Sequence, residues 1–161
     1  MVNRRTVTAP PGGQSIAFTR ELEAPAARVF AAHTEIETLS RWTGPRGTTV
    51  EVRAFDARTG GLWSYVVRGS DGAGWAFFGS FHEVSAPHRL VQTFEFEGDP
   101  GHPTFETLTF TDLPGGRCRV DGLSLFGSVA ERDAMLDGMD SGMDVNYERL
   151  DELLAAERGL G

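Results

Sequence analysis

Six aromatic side chains recur at two-residue spacing along three successive stretches of the chain: Trp63 and Tyr65, Trp75 and Phe77, Phe94 and Phe96. That spacing puts each pair on one face of a β-strand. The three pairs can therefore face one another across neighbouring strands. Met139 and Met143, four residues apart, share a helix face that can cover them. Such a set suits either of two roles. It fills a core, or it lines an apolar pocket in which a few polar groups orient a ligand. Methionine surfaces adapt to varied ligand shapes. Periodicity alone does not separate the two roles.

Other chemistries are poorly served. His33, His82, His88 and His102 include no pair at i, i+4 and no His-x-His. Zinc needs convergent ligands, so no metal is expected, and no motif calls for a cofactor. The chain has no Gly-x-Ser-x-Gly and no cysteine–histidine signature for nucleophilic catalysis. All 15 basic residues are arginine, which excludes Schiff-base and P-loop chemistry, both dependent on lysine. Cys118 is the single cysteine and excludes an intramolecular disulfide. It alternates with Arg117 and Arg119 and so faces away from both, as a small buried residue would. Arg20, Gln92 and His82 are polar residues on or near buried strand faces. A buried arginine must be paired, so Arg20 is expected in a structural salt bridge.

The net charge of −8 is unevenly spread. From Ser128 onward nine acids face three arginines, and the rest of the chain is nearly balanced. No basic stripe exists to hold a phosphate backbone, which argues against nucleic-acid binding. The acidic segment reads as a solvated helix face, or as a docking face for a basic partner. The 161 residues, 40% of them hydrophobic, suit one domain with a core of its own. No apolar run approaches the ~20 residues of a membrane span. No secretion signal is visible at the start. A cytoplasmic, membrane-free protein is expected.

These residues need positioning elements. Residues 1–13 are polar and end in Pro10-Pro11-Gly12-Gly13, reading as a flexible arm before a single domain over 14–161. Gln14 to Leu22 alternates as a strand. Ala24-Pro25 starts a helix carrying Val29, Phe30 and His33, and a short second helix runs from about Ile36 to Trp42 before Gly44-Pro45. Six alternating stretches follow between Thr48 and Phe126, separated by turns such as Gly60-Gly61, Asp71-Gly72 and Gly115-Gly116. Ser128 and Glu131 form a capping box for a helix expected to run to about Glu157. Met135, Met139, Met143, Leu150 and Leu154 share its inner face. Gly138 and Gly142 inside it cost about 1 kcal/mol each relative to alanine, so a close approach or a space beneath is expected. The order predicts an α+β fold: a curved antiparallel sheet wrapped around a long C-terminal helix, with two short helices after the first strand.

At this point the residues resemble a known family. The matching stretches are Arg20-Glu21-Leu22-Glu23-Ala24-Pro25, Leu39-Ser40-Arg41-Trp42 with Pro45, and Asp56-Ala57-Arg58-Thr59-Gly60-Gly61-Leu62-Trp63. They continue with Gly79-Ser80-Phe81-His82-Glu83-Val84, Arg89-Leu90-Val91, Gly138-Met139, and the run Tyr147 to Leu154. From about residue 14 to 157 the chain resembles the START-like, helix-grip (SRPBCC) superfamily. Within it, the chain is similar to the branch of the C-terminal domain of the activator of heat-shock protein 90 ATPase.

The resemblance implies the helix-grip fold and an apolar or amphipathic small molecule held between sheet and helix. It places Trp42 near the cavity mouth. Polyketide cyclase/aromatase-like relatives use polar side chains inside the same cavity, which makes Tyr65, His82 and Glu95 the catalytic candidates here. The heat-shock branch implies a chaperone partner and an ATPase-stimulating role. It departs in one respect: the activator has a further N-terminal domain where this chain has a short arm. An exposed sheet edge could also support a homodimer.

Overall fold

The computed structural model describes residues 5–138 and 142–160. Its side chains are described except at positions 142, 143 and 160. Met139 therefore lies outside the described residues, and so does the side chain of Met143.

Eight strands form one antiparallel sheet in the order β1-β2-β8-β7-β6-β5-β4-β3. Their ranges are β1 Thr6–Thr8, β2 Ser15–Leu22, β3 Thr49–Phe55, β4 Leu62–Arg68, β5 Gly74–Ser85, β6 Arg89–Phe96, β7 Thr104–Leu113 and β8 Arg117–Leu125. Helices α1 (Ala26–Thr34) and α2 (Ile36–Trp42) follow β2, and α3 (Val129–Gly138) and α4 (Gly142–Leu160) close the chain. The sheet curves, two short helices follow the first long strand, and the C-terminal helix lies in its grip, as the alternation and the resemblance predicted.

One expectation needs correction. The segment read as a flexible arm contributes β1, whose Thr6 pairs with Thr19 and Thr8 with Ala17. Arg5 then ion-pairs with Asp144 at 3.1 Å, and the Pro10 carbonyl accepts from buried Arg132. Backbone pairing and two arginine contacts, rather than apolar burial, fasten this segment. The helix expected from Ser128 to about Glu157 is described as α3 over Val129–Gly138 and α4 over Gly142–Leu160, and the residues between them lie outside the described ones. The Ser128 hydroxyl accepts the Glu131 N–H at 3.1 Å, which caps α3 as its sequence indicated.

The core fills one half of the sheet's concave face. Tyr147, Leu150, Leu153 and Leu154 of α4 pack with Phe18, Leu22, Val29, Phe30, Phe110, Cys118 and Val120. Gly122 makes this possible at one point. A Cβ there would lie 2.0 Å from the Phe18 ring, so glycine lets Phe18 lie flat on β8.

Arginines fasten α4 from several sides. Arg20, 3% exposed, holds Asp151 through two hydrogen bonds of 3.1 and 2.6 Å and lies 5.5 Å over the Tyr147 ring. Arg28 holds Glu157, and Arg46 holds Glu152. Arg149 donates to the carbonyls of Arg41, in the last turn of α2, and of Thr43 and Gly44 just past it. Much of the charge on the acidic helix face is thus met by the chain's own arginines, although these carboxylates stay partly exposed.

The sheet edges are β1 and β3. The β3 edge carries a register shift between Val52 and Ala54, and charged Glu51 and Arg53 pair with Arg68 and Glu97. Bulges and charges of this kind discourage edge-to-edge pairing. Among the described residues no helix is long and apolar enough to cross a membrane.

Candidate functional site

The other half of the concave face is not filled. A cavity of about 410 Å³ lies between the sheet and the helices, within the ordinary ~300–1,000 Å³ range of ligand pockets. Its walls follow from strand alternation. Trp63 and Tyr65 enter from β4, Phe81 from β5, Leu90, Gln92 and Phe94 from β6, Thr104, Glu106 and Leu108 from β7, and Ser124 from β8. His33 of α1, Trp42 of α2 and Tyr147 of α4 face them, with Met135 of α3 at the rim and half exposed.

Most of the wall is aromatic and internally braced. Trp63 contacts Tyr65 and Phe94 at ring-centre distances of 5.1 and 5.5 Å. The Trp63 indole lies over Gly79, its register partner on β5, where a Cβ would approach Nε1 to 2.7 Å. That Nε1–H is buried and has no hydrogen-bond partner among the described residues. On the helix side, Trp42 stacks on Tyr147 at 5.8 Å and donates its indole N–H to the Ala32 carbonyl at 3.0 Å.

Among the polar groups that interrupt the apolar lining, Glu106, Tyr65 and His33 are titratable. Glu106 is the deepest. Its Oε1 accepts from Gln92 Nε2 at 3.1 Å and its Oε2 from Ser124 Oγ at 3.5 Å. These are its register partners on β6 and β8. The surface Glu106 retains lies within the cavity it lines. Burial pushes its carboxyl above the usual carboxylate range, against the lowering effect of the two hydrogen bonds. The Tyr65 hydroxyl has no hydrogen-bond partner among the described residues. Burial and the charge of Glu106 both push it upward.

His33 is the third. Its Nδ1 lies 2.7 Å from the Val29 carbonyl, which can only accept, so Nδ1 carries the proton. Nε2 then accepts from the Tyr147 hydroxyl at 3.4 Å. Burial lowers the imidazole to about 4, so it stands neutral near pH 7.

The predicted residues divide cleanly by position. Trp42, Trp63, Tyr65 and Phe94 line the cavity. Phe77 lies beside it, touching Tyr65 and Phe94. Trp75 and Phe96 do not line it: both sit toward the end of their strands, where the sheet runs past the helix, and are 43% and 36% exposed. Met139 and the Met143 side chain fall outside the described residues. Of the catalytic candidates only Tyr65 reaches the cavity. His82 is exposed because it follows inward-facing Phe81 in β5. Glu95 faces away from the cavity and accepts the Gly101 N–H at 2.6 Å in the loop after β6. The Tyr65–His82–Glu95 grouping therefore does not assemble.

Sequence reasoning missed Glu106, Ser124, His33 and Tyr147 as cavity residues. The signal for Glu106 was present: Thr104, Glu106, Leu108 and Phe110 alternate, and the last two are plainly inward.

Comparison with known proteins agrees with this architecture. A Rhodobacter sphaeroides protein of known structure is 26% identical, with 95% of this chain and 99% of that one aligned at a TM-score of 0.84. A Mycobacterium smegmatis protein is 26% identical over 94% of this chain and 98% of its own, at 0.81. An Hsp90 activator from Plasmodium falciparum shares the fold at 22% identity and a TM-score of 0.57, covering 82% of this chain and 92% of its own. Among curated proteins none matches. The family described as "Activator of Hsp90 ATPase homolog 1-like protein" matches residues 23–155, and the chain belongs to that family, within the SRPBCC superfamily.

Proposed function

We propose that the protein binds an apolar or amphipathic small molecule in the cavity between the curved sheet and the C-terminal helix. One observation carries this reading. A space of about 410 Å³ is walled by aromatic side chains, and Glu106, Gln92 and Ser124 meet in its lining as one hydrogen-bonded cluster. A cavity left only by imperfect packing would be apolar throughout, because a buried polar group is costly unless bonded. Here Glu106, Gln92 and Ser124 form a bonded cluster on the floor.

Family membership supports a second reading, contact with a chaperone ATPase. The acidic helix face that would serve such a contact is largely engaged by Arg5, Arg20, Arg28 and Arg46, so the cavity reading comes first.

Native mass spectrometry of the purified protein, followed by denaturation, tests the proposal. A mass excess that disappears on denaturing is expected, or else uptake of an apolar fluorescent probe. Leu108→Trp would fill the cavity from β7 at a cost of about 1–3 kcal/mol in overpacking, and should abolish uptake while leaving a folded protein. A bare mass together with no probe binding would remove the cavity reading and bring the chaperone reading to the front.

A further inference from the structure

The cavity contains an acid and no base to match it. The chain has no lysine, and among the described residues no arginine lines the cavity. Arg20, the buried guanidinium of β2, is held by Asp151 on both oxygens. The titratable groups that share the cavity with Glu106 are Tyr65 of β4, Tyr147 of α4 and His33 of α1. His33 is neutral, with its one ring proton committed to the Val29 carbonyl. A buried carboxylate needs a counter-charge or a proton. Among the described residues nothing in the wall supplies a counter-charge.

The donors around Glu106 indicate which form the site is built for. Each carboxyl oxygen already accepts a hydrogen bond, one from Gln92 and one from Ser124. That arrangement can solvate a carboxylate, which accepts on both oxygens. The surrounding wall is aromatic, and ring faces attract cations. We propose, building on the cavity reading above, that the ligand is an amphiphilic amine whose ammonium group pairs with Glu106 while its apolar body lies against Trp63 and Phe94. Without ligand, burial favours the protonated carboxyl. Binding of the ammonium then drives the Glu106 proton out to solvent water, and N–H···O⁻ hydrogen bonds replace it. No other bond changes.

The test compares three probes of equal chain length, decylamine, decanol and decanoic acid, by isothermal titration calorimetry on the whole protein. Wild type should bind decylamine at least tenfold more tightly than decanol, and decanoic acid least. Glu106→Gln, close in shape, should still bind decanol and lose the preference for the amine. The general attraction of a chain of charge −8 for cations is nearly the same in both proteins and so cancels. Wild type gives a second test that needs no variant. Its preference for the amine should fade as the pH falls and Glu106 takes up a proton. Equal binding of amine and alcohol, a preference that survives Glu106→Gln, or one unchanged down to pH 4 would each overturn the inference and leave the cavity reading standing. Failure of all three probes to bind would overturn the cavity reading, and this inference with it.

Discussion

At the level of single residues, His33 and Glu106 pull stability in opposite directions with pH. Folding lowers the His33 pKa from 6.5 to about 4. Between those values the unfolded chain binds the proton and the folded one does not, so stability falls as pH drops through that window. The full effect is about 3 kcal/mol at most. His33→Gln should therefore flatten the acid limb of a denaturation series between pH 6.5 and 4; an unchanged limb would mean that His33 is not buried neutral. Glu106 is raised instead. Its folded form keeps a proton that the unfolded form releases, so its contribution is present below the unfolded pKa and lost as pH rises through the folded one. Glu106→Gln should then stabilise the empty protein more at pH 7.5 than at pH 4.5, as read by urea midpoints. A polar residue that costs stability in the empty protein is the kind retained for a ligand.

At the level of elements, α4 is docked as much by directional hydrogen bonds as by apolar contact. Arg149 spans the carbonyls of Arg41, in the last turn of α2, and of Thr43 and Gly44 just past it, where the helix leaves acceptors unpaired. Arg149→Ala should cost about 2 kcal/mol, in line with hydrogen bonds to a charged group. Arg149→Lys should restore little, because an ammonium cannot reproduce the guanidinium fork; full rescue by lysine in thermal unfolding would show that charge alone matters. The strands from β2 to β8 were legible because half-buried strands alternate, and the turns between them carry Gly60, Gly72 and Gly115 at positive φ. β1 was not legible: Thr6-Val7-Thr8 is short and polar, and only its pairing with Thr19, Phe18 and Ala17 makes it a strand. On the site, the aromatic wall showed in the spacing of Trp63, Tyr65 and Phe94. The polar floor did not, because Gln92, Glu106 and Ser124 meet only through the β6–β7–β8 register. Trp75 and Phe96 share the spacing of the true wall residues, and periodicity does not reveal where along the strand the helix stops covering it.

At the level of the whole molecule, the chain separates two tasks across one sheet. Leu22 of β2 and Cys118 and Val120 of β8 meet α1 and α4 in a filled core, while the cavity is walled by residues of β4 to β8. Four carboxylates on α4, at positions 144, 151, 152 and 157, face arginines brought in from β1's leading residue, β2, α1 and the loop after α2. Arg46 holds Glu152 below the usual carboxylate range, and Arg28 does the same for Glu157. Both contributions are present above the unfolded pKa and lost as pH falls through the folded one. The strongest of these ties is the most buried. Asp151→Ala leaves the Arg20 guanidinium without its carboxylate and should cost about 2–3 kcal/mol, the lower end for a broken buried pair because Asp151 is itself about a third exposed. A loss below about 0.5 kcal/mol in urea denaturation would show that Arg20 finds water or another acceptor instead.

Cys118 sits in the filled half, with no exposed surface. Burial, with the nearby Asp112 charge, pushes its thiol up to about 12. Thiolate is the reactive species, so the native protein presents no usable sulfur to a labelling reagent. Its register partners, Leu22 and Asp112, must part before the sulfur is reached. The rate at which an aromatic disulfide reagent modifies the chain therefore times the opening of its most tightly packed half. A single cysteine introduced at the rim of the cavity would react alone, against a silent background, and report on the other half.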